Sequence, residues 1–254
     1  MKKLICLLLT SAVILTALCS CDFQRKLDGV ELKFQQKVSS ATEYSFNAEL
    51  KIESDGTTSE LSVNCYKKDG KYSYVFPSSD DESKEYRRLY ADGYFYEFLT
   101  AKKSSVLFGD VEGGTYYKEE KPVSDEKNFL YQIEQNILLA TYATLVLDGK
   151  KETLDGKEVY RYELTVENNT YKLWYDDANL VKIGAIIRSQ DGEGNEKADT
   201  YEAKFSDYKF EEVDATVFRK PEDANGIYAE SSTPLEDTLG TLGKFSGMSA
   251  NWMK

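Results

Sequence analysis

The stretch TEYSFNAELKI at residues 42–52 decides the fold class because its side chains alternate in character. Tyr44, Phe46, Ala48, Leu50 and Ile52 are apolar, and a polar residue separates each from the next. A period of two residues is typical of a strand with one apolar face and one face in water. The sequence therefore predicts a sheet with one side that another part of the chain must cover.

The same alternation continues along the chain and predicts about eleven strands. Asp-Gly pairs at 69–70, 92–93 and 155–156 stand between alternating runs, and such pairs are typical of tight hairpins. Neighbouring strands are therefore expected to be antiparallel. The expected strands are 44–52, 61–65, 72–76, 85–90, 94–99, 115–120, 145–153, 160–166, 171–175, 181–187 and 201–205.

Two segments show helical spacing of their apolar residues instead. The first helix is expected at about 28–39, with Phe34 and Val38 on its apolar side, and the second between Ser124 and about Thr144. Two helices and one long sheet indicate a mainly β, α+β fold. We expect an antiparallel half-barrel of about 11 strands, with helices covering its concave apolar face.

The amino-terminal segment is typical of a secretory signal. Lys2 and Lys3 precede an uncharged run from Leu4 to Leu18, which is too short to cross a bilayer as a helix. The following Leu18-Cys19-Ser20-Cys21 resembles a bacterial lipobox. This resemblance implies a diacylglycerol anchor with fatty acyl chains such as palmitate on the Cys21 sulfur, and cleavage after Ser20. An ordinary signal peptide with an incidental cysteine is the alternative.

The boundaries follow from these patterns and from composition. We expect a lipoprotein signal peptide at 1–20, a lipidated tether at 21–27, a folded domain at 28–221 and a flexible tail at 222–254. The tail is rich in Gly, Ser and Thr but ends with Phe245, Met248 and Trp252 among its last ten residues. A segment that docks on an apolar groove of its own domain is therefore the alternative to a solvated terminus.

Composition excludes several classes of function. The formal net charge of the 254 residues is −12 and becomes more negative when Lys2 and Lys3 leave, so a nucleic acid partner is not expected. The chain contains no histidine, which removes Ser-His-Asp and Cys-His catalysis and the usual zinc sites. Cys65 is left alone after processing and fits a buried strand position. We expect no enzyme activity, metal or cofactor.

A family resemblance is carried by YKLWYDDANLVKIGAII at residues 171–187 and YEAKFSDYKFEEVDATVFRKPED at 201–223. Together with the order helix, meander, helix, meander, these stretches resemble the LolA/LolB superfamily and its LppX-like lipoprotein relatives. The matching positions are Trp174 with Tyr175, Leu180 to Ile183, Phe205 to Lys209, and Phe218 with Pro221. The resemblance implies an unclosed β-barrel with a helical lid, whose hydrophobic cavity takes acyl chains or lipid-modified proteins.

The expected function is that of a non-enzymatic lipoprotein, anchored through Cys21 on the extracytoplasmic face of the cell membrane, that binds a lipid or lipid-modified molecule as a monomer. The alternative is an envelope sensor or interaction lipoprotein whose cavity is filled. An open apolar pocket on the concave face would favour the lipid-binding function. A concave face filled by aromatic side chains or by the tail would favour the sensor or interaction function. The expected ligand-binding residues are Phe46, Leu50, Val63, Tyr74, Leu164, Leu173 and Ile183 on the sheet, and Phe129, Ile133 and Ile137 on the lid.

Overall fold

The structure, a computed structural model, describes residues 29–77, 84–105, 109–125, 147–166, 168–190, 196–223 and 227–235, together with residues 128, 130–132, 134, 144 and 194. The expected signal peptide, the tether and residues 236–254 lie outside these ranges.

The chain enters the described part through helix α1, Val30–Ser40. The buried side chains of this helix, Glu31, Phe34 and Val38, are three and four residues apart and share one face. Further on, residues 130–132, 134 and 144 are helical, inside the segment expected to form the second helix, and the intervening residues lie outside the description.

The strands form one twelve-stranded sheet. Along the sheet their order is β12-β6-β5-β4-β3-β2-β1-β11-β10-β9-β8-β7, so β12 and β7 are its two edges. Their bounds are β1 Glu43–Ser54, β2 Thr57–Lys68, β3 Lys71–Pro77, β4 Lys84–Ala91, β5 Tyr94–Ser105, β6 Gly109–Glu120, β7 Lys150–Leu154, β8 Lys157–Val166, β9 Asn169–Tyr175, β10 Leu180–Gln190, β11 Glu196–Lys209 and β12 Ile227–Glu230.

Neighbouring strands are antiparallel except at one edge, where β12 runs parallel to β6. The hairpin turns at Asp69-Gly70, Asp92-Gly93 and Asp155-Gly156 have both residues at positive φ. Two such residues match the twist of the flanking strands, which explains why Asp-Gly marks these turns in the sequence. The prediction of a mainly β, open antiparallel sheet with few helices is confirmed.

The two faces of the sheet carry different cores. The inner face, which bears Tyr44, Phe46 and Leu50 of β1, packs against α1 and against Leu130. The outer face holds a smaller core around Leu89 and Phe98, covered by the chain that follows β11 and includes the 3₁₀ turn Ala215–Phe218. The covering chain is fastened by Ser73, whose hydroxyl donates to the Val217 carbonyl oxygen at 2.7 Å.

The sheet extends beyond residue 221, where we expected the folded domain to end. Ile227–Glu230 forms the twelfth strand, and Leu235 behind it is buried in the inner-face core. The four residues of β12 are too few to show an alternating pattern, and Gly, Ser and Pro surround them. Their strand conformation comes from pairing with β6, which local sequence does not encode.

Candidate functional site

The inner face divides into a covered part and a partly open part, and the expected ligand-binding residues fall on both. Phe46, Leu50, Val63 and Tyr74 lie in the covered part, each no more than 5% exposed. Leu173 and Ile183 are half-buried, and Leu164 is 38% exposed. Three lid residues and the lipid attachment residue lie outside the described residues: Phe129, Ile133, Ile137 and Cys21.

Aromatic rings fill the covered part below α1. Phe34 of the helix is 1% exposed and meets Tyr175, Tyr208 and Phe210 edge-on, with ring centroids 5.3–6.5 Å apart. Edge-to-face contacts of this kind add to the stabilisation from burial alone. Because these rings already contact one another, the covered part is packed as a core.

The helical residues near 130 are held to the sheet by tyrosine hydroxyls. Tyr44 and Tyr72 both donate to the Glu134 carboxylate, the latter at 2.9 Å, and the Lys67 ammonium lies 2.9 Å from the same group. Burial, followed by the negative charge of Glu134, raises the pKa of both phenols, so they stay protonated donors.

A third tyrosine, Tyr74, also holds this segment to the sheet. The Tyr74 hydroxyl donates to the side-chain oxygen of Asn128 and accepts from the backbone N–H of Leu130 at 2.8 Å. Burial raises the pKa of Tyr74 well above its usual value. Tyr74, which we expected to contact a ligand, contacts the covering chain in this structure.

A buried ion pair lies toward the β12 edge of the inner face. The Arg88 guanidinium lies 3.1 Å from the Glu97 carboxylate, and the two side chains are 7% and 0% exposed. Glu97 also accepts from the Tyr86 hydroxyl at 2.7 Å and from the Leu235 backbone N–H at 2.9 Å. The chain after β12 thus reaches the inner face as far as Leu235. The rest of the tail, including Phe245, Met248 and Trp252, lies outside the described residues.

The partly open region lies across β8, β9 and β10, and we call it the apolar floor. In register, Leu164 is opposite Tyr171, Leu173 is opposite Ile183, and Ile187 follows Ile183 on the same face. All five side chains are half-buried or exposed. Its members are Leu164, Tyr171, Leu173, Ile183 and Ile187.

Cys65 is fully buried between Phe46 and Tyr74 in register, as the sequence predicts. Burial raises the pKa of its thiol, which keeps it protonated. Among the described residues, no group of three or more His, Cys, Asp or Glu is arranged to hold a metal ion. In the same ranges, no helix has the length and apolar character of a membrane span.

Neither a known family model nor a curated protein sequence matches the chain. Solved structures do show similarity, and they include LolA and LppX proteins, as the sequence resemblance led us to expect. A LolA superfamily protein from Nitrosomonas europaea is 12% identical with a TM-score of 0.31, and the alignment covers 76% of this chain and 99% of that one.

Two further solved structures are similar to a comparable degree. The lipoprotein LppX from Mycobacterium tuberculosis is 10% identical with a TM-score of 0.36, over 72% of this chain and 95% of that one. The Pseudomonas aeruginosa MucA/MucB complex gives 12% identity and a TM-score of 0.33, over 80% of this chain and 62% of the matched chain.

The polar groups that hold the covering segments were not predicted from the sequence. The buried Glu31 carboxylate accepts a hydrogen bond from the Tyr162 hydroxyl, and the Glu134 carboxylate accepts hydrogen bonds from the Tyr44 and Tyr72 hydroxyls. The spacing of these glutamates in the sequence could have indicated their position: Glu31 is three residues before Phe34, and Glu134 is four residues after Leu130. Both glutamates therefore fall on the apolar side of their helices.

Proposed function

We propose that the protein is a non-enzymatic lipoprotein, anchored through Cys21 on the extracytoplasmic face of the cell membrane, that binds a lipid or lipid-modified molecule on the apolar floor. The observation that carries the proposal is the partial exposure of Leu164, Leu173 and Ile183 on three adjacent strands of one face. Apolar side chains left open side by side on one face of a sheet are typical of a binding site for an apolar ligand.

The covered part of the inner face supports the apolar floor and is not proposed to contact the ligand. Phe46, Leu50, Val63 and Tyr74 are packed under α1 and the residues near 130, so a ligand would have to displace a covering segment to touch them. We therefore narrow the proposed contact residues to Leu164, Tyr171, Leu173, Ile183 and Ile187, with the lid residues Phe129, Ile133 and Ile137 as proposed walls.

The size of the floor suggests why a membrane anchor would help. Three strands and four residues along a strand give a floor of about 10 by 13 Å. At ~25 cal/mol per Å², covering ~130 Å² contributes about 3 kcal/mol from the protein side. This contribution is small compared with the free-energy cost of bringing two molecules together. Because an anchor holds the protein in the same membrane as its ligand, it raises the effective concentration of the ligand and offsets part of that cost.

Native mass spectrometry tests ligand binding. The chain expressed without residues 1–21 should carry co-purified lipid, and Leu164→Glu should lose most of it because a carboxylate on the floor is unfavourable beside acyl chains. Thr165→Glu is the matched control, since Thr165 is exposed on the opposite face of the same strand. Lipid-free protein, or equal lipid loss in both variants, would contradict the proposal.

The anchor has its own test in the signal region. Metabolic labelling with a fatty acid should mark the full-length protein and the Cys19→Ser variant, because Cys19 is removed with the signal, whereas Cys21→Ser should stay unlabelled. Labelling that survives Cys21→Ser would show that the anchor lies elsewhere.

A second candidate function follows from the filled part of the inner face. The aromatic core below α1 and the docking of Leu235 favour an envelope sensor or interaction protein that uses this fold without a ligand. The mass spectra separate the two candidates, because a sensor with a filled face should carry no lipid and should respond equally to the two position-specific variants.

A further inference from the structure

Exposed apolar side chains are concentrated on one strand. Of the four large apolar side chains that are exposed among the described residues, three belong to β8: Tyr160 at 36%, Leu164 at 38% and Val166 at 48%. They are two or four residues apart and point to the inner side, since their register partners on β9 include the inner-face residues Tyr175 and Tyr171. We call Tyr160, Leu164 and Val166 the β8 row.

The β8 row borders an open part of the sheet edge. Strand β7 pairs with residues 157–161 of β8 and reaches no further. Within the described ranges, no strand pairs with residues 162–166 on that side; Gly149, just before β7, lies against the Tyr162 ring, and Glu163 to Val166 are all exposed. The side chains of Leu164 and Val166 are therefore accessible on the inner face at the end of β8.

The point at which the chain enters the fold lies at the same strand. The Tyr162 hydroxyl donates to the Glu31 carboxylate, and these side chains are 9% and 8% exposed, which fixes the start of α1 beside β8. Gly29 directly precedes this helix with an extended backbone. Cys21 is eight residues before Gly29, so it lies at most about 29 Å from that glycine along a fully extended chain.

From these positions we propose that the β8 row rests on the lipid bilayer that holds the Cys21 anchor. The inference rests on the proposed anchor: acyl chains at Cys21 keep the bilayer within about 29 Å of the start of α1, and the six-residue span from Tyr160 to Val166 measures ~20 Å, less than the tether. An exposed apolar row on the strand that holds the start of α1, and so within reach of the proposed anchor, is typical of a surface that contacts lipid.

The chemistry of the row selects the kind of bilayer. Tyr160 has an apolar ring with a polar hydroxyl, which suits the boundary between headgroups and acyl chains, and Leu164 and Val166 are purely apolar. The net charge of −12 opposes anionic headgroups, so the row should prefer zwitterionic lipid. Contact at β8 would also place the apolar floor beside the bilayer, where a lipid can enter without crossing water.

Site-specific fluorescence on the mature lipoprotein, lipidated at Cys21 and otherwise complete, tests this contact. The protein is reconstituted in phosphatidylcholine vesicles with an environment-sensitive fluorophore on Val166→Cys, Thr165→Cys or Leu173→Cys; Cys65 is fully buried and should not react. With spin-labelled phosphatidylcholine in the vesicles, we expect a blue shift and strong quenching at position 166. Quenching should be weaker at 173 and weakest at 165, on the opposite face.

Each other outcome overturns the contact in a recognisable way. Equal signals at 166 and 165, or protein that does not float with the vesicles, remove the membrane contact. Equal quenching at 166 and 173 indicates lipid on the floor, which supports the proposed function and not this inference. A label at 166 that is shielded from both spin-labelled lipid and aqueous iodide shows that a second protein chain covers the row. Quenching at 166 in protein without co-purified lipid supports the contact and contradicts ligand binding.

Discussion

At the scale of single residues, buried carboxylates on the covering segments are the least expected feature of this fold. Glu134 gathers two tyrosine hydroxyls and the Lys67 ammonium in one place, with the glutamate and lysine side chains only 12% and 14% exposed. A charge in such surroundings is tolerated because each partner satisfies the other. The group therefore fixes the position of the covering chain, whereas apolar contacts alone could slide.

Replacing Glu134 by alanine should destabilise the protein by about 2–3 kcal/mol. Loss of one partner of a buried ion pair costs ~3–5 kcal/mol, and Lys67 keeps some access to water, which lowers the figure. Urea unfolding at neutral pH measures it. Glu53→Ala is the control, because Glu53 pairs with Lys51 at 2.7 Å on an exposed surface, where water and salt screen the charges and such pairs contribute little to stability. Equal losses in the two variants would show that the Glu134 group does not hold the covering chain.

At the scale of elements, sequence predicted the parts whose pattern is long. In β1, five apolar residues alternate with polar ones, and all five are buried on one face of the sheet. The four residues of β12 carry no comparable pattern, and their strand conformation depends on β6, about a hundred residues earlier. The period of the apolar residues predicts a strand that has its own apolar face, such as β1. It does not predict a strand such as β12, whose conformation depends on pairing with a distant part of the chain.

The candidate site shows the same division. Alternation placed Phe46 and Leu164 on the same face, and the structure agrees. Whether a residue on that face is buried depends on which segment lies above it, and that is set by long-range contacts such as Tyr72 with Glu134 and Tyr162 with Glu31. The sequence therefore predicted the face, and did not predict which part of it stays open.

The first residues after β12 are part of the folded domain, because Leu235 is buried in the inner-face core. A substitution of Leu235 tests this. Leu235→Ala should cost about 2 kcal/mol in free energy of unfolding, near the lower end for a buried leucine because the short segment after β12 can relax around the change. Leu164→Ala is the matched control: the same change at a side chain that is 38% exposed should cost less than half as much. If both variants unfold at the same urea concentration, Leu235 does not contribute to the inner-face core in solution.

At the scale of the whole molecule, tyrosine combines the two roles that the inner face needs. Its ring fills the space between sheet and helix, and its hydroxyl reaches a carboxylate or amide on the covering segment. Phenylalanine could supply the packing alone, without fixing the helices in one position. Because so many of these hydroxyls are buried, the stability of the whole protein becomes linked to their protonation.

This linkage predicts unfolding in alkali. Burial is the largest cause of a raised pKa at eleven tyrosines, and these include Tyr44, Tyr72, Tyr74, Tyr86, Tyr90, Tyr162 and Tyr208. An unfolded tyrosine ionises near pH ~10, so the folded state holds these protons more tightly. Their contribution to stability is therefore complete below about pH 10 and is lost as the pH rises above that value.

Tyrosinate absorbance and far-ultraviolet circular dichroism, recorded together during a pH titration, measure the effect. A fraction of the 19 tyrosines should ionise while the dichroism is unchanged, and the rest should ionise in one steep step at higher pH, together with loss of the sheet signal. The urea-unfolded chain is the control and should titrate in a single step near pH ~10. Complete ionisation near that pH with the sheet signal intact would mean that water reaches these hydroxyls, and that the inner face is not closed as the structure shows it.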